Sequence, residues 1–158
     1  AMTADLARRE REDRAIARAT RILERRALYD AQREPLDGPT VVADYLRFRL
    51  NGLDIEQFWA VWLDAQHRPI QAECVSAGTL TQASIYPREI VRRALHLNAA
   101  AVVFAHNHPS GCAEPSAADE LLTRTLKDAL ALVDVRLLDH LVIGAAVRPV
   151  SFACRGLL

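Results

Sequence analysis

The run Ala99-Ala100-Ala101-Val102-Val103-Phe104-Ala105 leads directly into His106-Asn107-His108-Pro109-Ser110-Gly111-Cys112-Ala113-Glu114-Pro115-Ser116-Ala117-Ala118-Asp119. Its first seven residues are apolar and bounded by polar turn formers, the pattern of a strand buried on both faces at the centre of a sheet. The second part is a loop shaped by two prolines and a glycine. Ser116 then opens a helix bearing Leu121, Leu122, Leu126, Leu130 and Leu132.

Outward from this core, Pro87 stands where a first helical turn tolerates proline, and Ile90, Val91, Ala94, Leu95 and Leu97 recur at helical spacing up to Asn98. Phe58-Trp59-Ala60-Val61-Trp62-Leu63 is strand-like, and a turn over 64–68 leads into a second strand through Ile70 and Val75, a hairpin. Val135 to Ile143 and Val147 to Phe152 read as two closing strands. Upstream, Thr40 is positioned to cap a helix carrying Val42, Tyr45, Leu46 and Leu50, with Asn51-Gly52 as its stop. Residues 4 to about 30 form a charge-dense amphipathic helix, separated by the breaker cluster Glu34-Pro35-Leu36-Asp37-Gly38-Pro39. The expectation is an α/β (α+β) domain, a mixed sheet flanked by helices, over 39–158, preceded by a helical extension and linker over 1–38. A Rossmann glycine fingerprint and a phosphate loop are both missing, so no nucleotide site is expected.

The chain has 158 residues, 51% apolar and 25% charged, the balance of one compact domain with an accessory segment. Such a chain buries roughly 70% of its unfolded surface and needs no disulfide or structural metal to fold. It is too short for a TIM barrel, which takes about 250 residues. Twenty basic residues cancel twenty acidic ones, which argues against a protein that coats nucleic acid. Between Thr3 and Glu34, nine arginines face seven acids, a small local excess. Cys74, Cys112 and Cys154 are dispersed and odd in number, pointing to a reducing, cytoplasmic setting. No stretch suits a membrane span, and the charged N-terminus does not suit a signal peptide. Ala1 ahead of Met2 reads as a cleavage scar.

Side chains alternate along a strand, so His106 and His108, at i and i+2, face the same way and can share one metal ion. Asp119, in the first turn of the following helix, can reach back across the loop. Two histidines and one aspartate leave a fourth tetrahedral position for water, the pattern of catalytic rather than structural zinc. The ion would lower the pKa of bound water toward about 7 and polarise a carbonyl. Each piece also has a plainer reading. Serine followed three residues later by an acid is a helix capping box, and a histidine at a strand end can be satisfied by ordinary hydrogen bonds.

The spacing His-x-His, seven residues, Ser, two residues, Asp resembles the JAMM motif of JAB/MPN metalloprotease domains. Within that group the chain is similar to the RadC family, through Ser76-Ala77-Gly78-Thr79-Leu80, Tyr86-Pro87-Arg88-Glu89, Ala105 to Gly111, and Val135-Arg136-Leu137-Leu138-Asp139-His140-Leu141-Val142-Ile143-Gly144. The resemblance covers roughly Val41 to Leu158 and implies the cytidine-deaminase-like JAB/MPN architecture. It further implies that Glu56 is the general base that later protonates the leaving amine, with Glu73 and Glu89 as competitors, and that Ser116 donates its hydroxyl to the developing oxyanion. The activity implied is a Zn2+ metallopeptidase or isopeptidase acting on a peptide or protein substrate. The alternative is a DNA repair or recombination protein contacting nucleic acid through its N-terminal helix, which could equally mediate a homodimer. His67 and His96 suit surface roles. His140, in an apolar strand, suits a core or metal-supporting hydrogen bond, and Cys112 a variable loop position.

Overall fold

The computed structural model describes residues 2–29, 39–78, 85–145 and 148–158. Its elements are α1 (Met2–Tyr29), α2 (Pro39–Leu50), β1 (Gln57–Leu63), β2 (Pro69–Ala77), α3 (Pro87–His96), β3 (Ala101–Asn107), α4 (Ala117–Ala131), β4 (Arg136–Ile143) and β5 (Val150–Ser151). The linker cluster ahead of Pro39, together with Thr79, Leu80 and Val147, lies outside the described residues.

One five-stranded sheet has the order β2-β1-β3-β4-β5. The hairpin β1/β2 is antiparallel, β1 pairs antiparallel with β3, β3 pairs parallel with β4, and β4 pairs antiparallel with β5. The sheet is therefore mixed, as expected, with β3 at its centre and every β3 residue buried. Alternation along β1 and β3 divides the core in two. Phe58, Ala60, Trp62, Val102 and Phe104 face α3 and α4, where Ile90, Ala94, Leu122, Leu126 and Leu130 cover them. Trp59, Val61, Leu63, Ala101, Val103 and Ala105 face α2 through Val42, Tyr45, Leu46 and Leu50. The helix α1 lies outside α2, with Thr20 buried and Leu23 packed against this second cluster.

Two local expectations are corrected. Thr40 does not cap α2, because the helix already begins at Pro39, whose missing N–H and fixed φ suit a first helical position. The last strand is only Val150–Ser151, because the chain turns at once after it: Ser151 Oγ accepts from the Cys154 amide at 3.0 Å, and Leu157 N bonds back to Phe152 O. In α1, Arg8, Arg9 and Arg14 lie 2.9, 3.9 and 3.8 Å from Glu12, Asp5 and Glu10, one turn away. No helix among the described residues is long and apolar enough to cross a membrane.

Glu73 fastens the edge strand to the helical layer. Its Oε1 accepts the Trp62 indole N–H at 2.7 Å and the Arg93 Nε–H at 2.7 Å, and its Oε2 accepts from Arg93 Nη2 at 2.9 Å. The hydrogen bonds from Arg93, opposed by partial burial and helped by Trp62, hold the carboxyl below its ordinary value. A depressed carboxyl stabilises the fold above its unfolded pKa and ceases to do so as the pH falls through its folded one. Glu73→Gln should therefore cost about 1.5–3 kcal/mol near neutral pH, with the gap to wild type shrinking under acid. Urea denaturation at pH 7 and below pH 4 checks both.

Candidate metal centre

His106 is the penultimate residue of β3 and fully buried; His108 follows the strand and is half-buried. Both imidazoles emerge on the α4 face, with their Nε2 atoms 2.9 Å apart. Asp119, in the first turn of α4, brings Oδ1 to 3.3 Å from His106 Nε2 and Oδ2 to 3.4 Å from His108 Nε2. Glu56 ends the segment entering β1, and one of its carboxylate oxygens lies with ring nitrogens of His106 and His108 in a group spanning no more than 4.8 Å. These three residues form a cluster that could hold a metal ion. Residues 63 positions apart in sequence thus meet at one end of the central strand, and Ser116 stands beside Asp119.

The hydrogen bonds around the histidines decide where their protons sit. His108 Nδ1 lies 2.8 Å from the Cys112 carbonyl, which can only accept, so Nδ1 carries the proton and Nε2 presents a lone pair. Cys112 thus contributes its main chain, and its thiol is exposed. The loop from His108 to Ala113 is held against β4: His108 N donates to Ile143 O at 2.8 Å and Ala145 N to Gly111 O at 2.9 Å. Gly111 adopts φ +84°, and a Cβ at Gly144 would collide with the Gly111 carbonyl and lie 2.8 Å from the Ala113 amide. Both glycines are needed for the loop to lie flat.

Asp119 is fixed from its own helix. Ser116 is the N-cap of α4 in a complete capping box: its Oγ accepts from Asp119 N at 3.1 Å, and Asp119 Oδ2 accepts from Ser116 N at 2.7 Å. The Ser116 hydroxyl also donates to Oδ2 at 2.7 Å. Burial pushes the Asp119 carboxyl up, but the adjoining His106 ring and the two Ser116 donors outweigh it and hold the carboxyl well below the usual range. It is a carboxylate at neutral pH.

The competing acids are occupied elsewhere: Glu73 with Trp62 and Arg93, and exposed Glu89 with Arg92 at 2.6 Å. His96 is exposed and His67 pairs with Arg136 at 2.9 Å. His140 is fully buried beside the cluster, and burial pushes its imidazole well below the ordinary value.

Two contributors escaped the sequence reading. Asn107 points to the opposite face from His106, and its Oδ1 accepts from Gln57 N at 2.8 Å while Nδ2 donates to Ile55 O at 3.1 Å and Leu53 O at 3.4 Å. It clamps the segment that carries Glu56. Thr123, one turn beyond Asp119 on α4, is buried and touches His140 at 2.6 Å. The alternation of β3 could have signalled Asn107, since a buried amide between two inward histidines must find partners behind the sheet. A threonine at i+4 from Asp119 on an inward helix face carries a weaker signal.

The donor set suits a divalent cation such as zinc: two imidazole nitrogens and carboxylate oxygens converge. Two nitrogens bound to zinc at tetrahedral angles sit about 3.3 Å apart, so the pair at 2.9 Å needs to open only slightly.

A family model described as RadC-like JAB domain matches residues 36–157. The chain is 60% identical over 138 residues to a UPF0758 protein of Leptothrix cholodnii, covering 86% of this chain and 62% of that one. It is 56% identical over 138 residues to a UPF0758 protein of Dechloromonas aromatica, at 86% and 61% coverage, and 61% identical over 123 residues to one of Nitrosomonas eutropha, at 78% and 54%. The chain therefore spans somewhat over half the length of the curated relatives it matches. With the mixed sheet and the cluster at the end of β3, these matches establish that the chain belongs to the RadC family of JAB/MPN-type domains.

Proposed function

We propose that this domain is a zinc-dependent hydrolase of amide or isopeptide bonds in a peptide or protein substrate, working by attack of water without a covalent intermediate. The observation that carries this reading is the convergence of two imidazole nitrogens, a carboxylate kept anionic and a second carboxylate within reach. Zinc would be held by Nε2 of His106, Nε2 of His108 and a carboxylate oxygen of Asp119. When bound it would supply Lewis acidity, lowering the pKa of water and polarising the substrate carbonyl.

Glu56 takes a proton from the attacking water onto its carboxylate and returns it to the leaving nitrogen. Asn107 holds the main chain on either side of Glu56 in register with the end of β3, which restricts where that carboxylate can go. Ser116 serves twice. Its Oγ accepts from the Asp119 amide, so only the hydroxyl hydrogen, now on Asp119 Oδ2, must swing for it to donate to an oxyanion while the cap stays intact. The nucleic-acid reading depends on arginines of α1, three of which already face acids of the same helix, so the hydrolytic reading has the stronger support.

Zinc titration of the stripped protein, followed by metal analysis, should give one ion per chain. His106→Ala and Asp119→Ala should lose it, and a wild-type protein that takes up none would overturn the reading. Glu56→Gln should keep its zinc while hydrolysis of an amide substrate falls by about 10²–10⁴-fold; loss of the metal in this variant would make Glu56 a ligand instead. Asn107→Ala should retain zinc and lose about 10- to 100-fold in kcat, measured on the same substrate.

A further inference from the structure

Behind His106 lies a chain of buried polar groups that the proposed chemistry does not use. His106 Nδ1 is 2.8 Å from His140 Nε2, His140 Nδ1 is 2.6 Å from Thr123 Oγ1, and Thr123 Oγ1 is 2.6 Å from the main-chain carbonyl of Asp119. Only one end of this chain is chemically unambiguous, the Asp119 carbonyl, which can accept and never donate. It fixes the proton of Thr123 and, through it, one proton of His140. The single hydroxyl hydrogen of Thr123 goes to Asp119 O, so Thr123 Oγ1 must accept from His140, and His140 carries its proton on Nδ1.

His140 has no solvent exposure and is boxed by aromatic rings: Phe152 stacks on it at 4.8 Å and 22°, and Phe58 and Phe104 meet it edge-on at 5.3 and 6.3 Å. Such a wall favours a neutral imidazole, which leaves Nε2 as an acceptor. Nδ1 of His106 must then be the donor, and in a neutral His106 this leaves Nε2 bare, facing His108 and Asp119. The box is itself anchored. Asp139 Oδ1 accepts from the amides of His140 at 2.7 Å and Ala153 at 3.0 Å, and Oδ2 accepts the Ser151 hydroxyl at 2.7 Å, which seats Phe152 over the ring.

We propose that Thr123 and His140 are positioning residues that set the tautomer of His106, relaying the one-way acceptor character of the Asp119 carbonyl through two hydrogen bonds so that His106 Nε2 stays unprotonated for metal binding. This deepens the zinc reading and rests on it. Where a metal-binding histidine ordinarily donates to a carboxylate or a carbonyl, here it donates to a second imidazole that could itself take either tautomer. Thr123 removes that freedom. Without it, His140 would be free to carry its proton on Nε2, which would force His106 to accept at Nδ1 and to protonate the nitrogen that faces the metal site. Asp119 thereby acts at both ends, its carbonyl orienting the relay and its carboxylate lying at the nitrogen the relay keeps bare.

The test uses the full chain, metal-free, with long-range proton–nitrogen correlation spectra of the ring nitrogens, together with zinc affinity from competition with a chromogenic chelator. Wild type should show His140 protonated at Nδ1 and bare at Nε2. Thr123→Val, which keeps the shape and removes the hydroxyl, should move the His140 proton to Nε2 and weaken zinc binding by about 10- to 100-fold. Thr123→Ser, which restores the hydroxyl, should return both readouts to wild type. A wild-type spectrum with the His140 proton on Nε2 overturns the relay whatever the variants do. An unchanged zinc affinity in a folded Thr123→Val overturns it too. If wild type binds no zinc, the hydrolase reading fails, while the ring-nitrogen spectra still judge the relay separately.

Discussion

Alternation at the end of β3 is the constraint on which the site depends. His106 is paired on one side to Phe58 of β1 and on the other to Val142 of β4, so it cannot rotate to the other face without breaking two ladders. The same alternation that turns His106 and His108 toward α4 turns Asn107 toward the loop before β1. One short run thus supplies both the imidazole pair and the amide that secures Glu56. A shift of one residue in the β1–β3 pairing would exchange the two faces and dismantle both at once.

The cluster is held together from outside, by one partner behind each of its side chains. Two imidazole nitrogens stand 2.9 Å apart with a carboxylate 3.3 and 3.4 Å away. His108 is held by the Cys112 carbonyl, His106 by His140, and Asp119 by the cap of α4, so the three side chains stay turned inward. A cation held by this prearranged cluster would bind the folded chain in preference to the unfolded one and stabilise it by mass action. The aromatic wall of Phe58, Phe104 and Phe152 keeps water from His140 behind the cluster.

Most of the sheet was legible because its strands carry their period openly. The buried run ending at Ala105, the aromatic hairpin strand and the leucine face of α4 each allow one element, and the parallel β3–β4 pairing follows from the helix between them. The meeting of His106, His108 and Asp119 was legible from strand alternation and loop length. Glu56 was not, since a carboxylate before a strand has no pattern of its own, and only the family resemblance distinguished it from Glu73 and Glu89. Thr123 and Asn107 were opaque for a different reason. Their roles depend on which neighbour the tertiary fold sets opposite them, and neither helix period nor strand period encodes that partner.

Ser116 and Asp119 show why the capping and metal readings of one motif need not compete. A capping box requires the N3 carboxylate to fold back over the first turn of its helix, and in α4 that direction is also toward His106 and His108. The cap takes up lone pairs on Oδ2 through the Ser116 amide and hydroxyl, while Oδ1 lies nearest His106 Nε2 with no part in the cap. Helix initiation therefore fixes the rotamer of Asp119 before any metal arrives. The dipole at the N-terminus of α4 favours the same anionic state that metal binding requires. Local stability and site geometry are thus served by a single conformation, and the helix start becomes the reference from which both the carboxylate and, through Thr123, the imidazole are oriented.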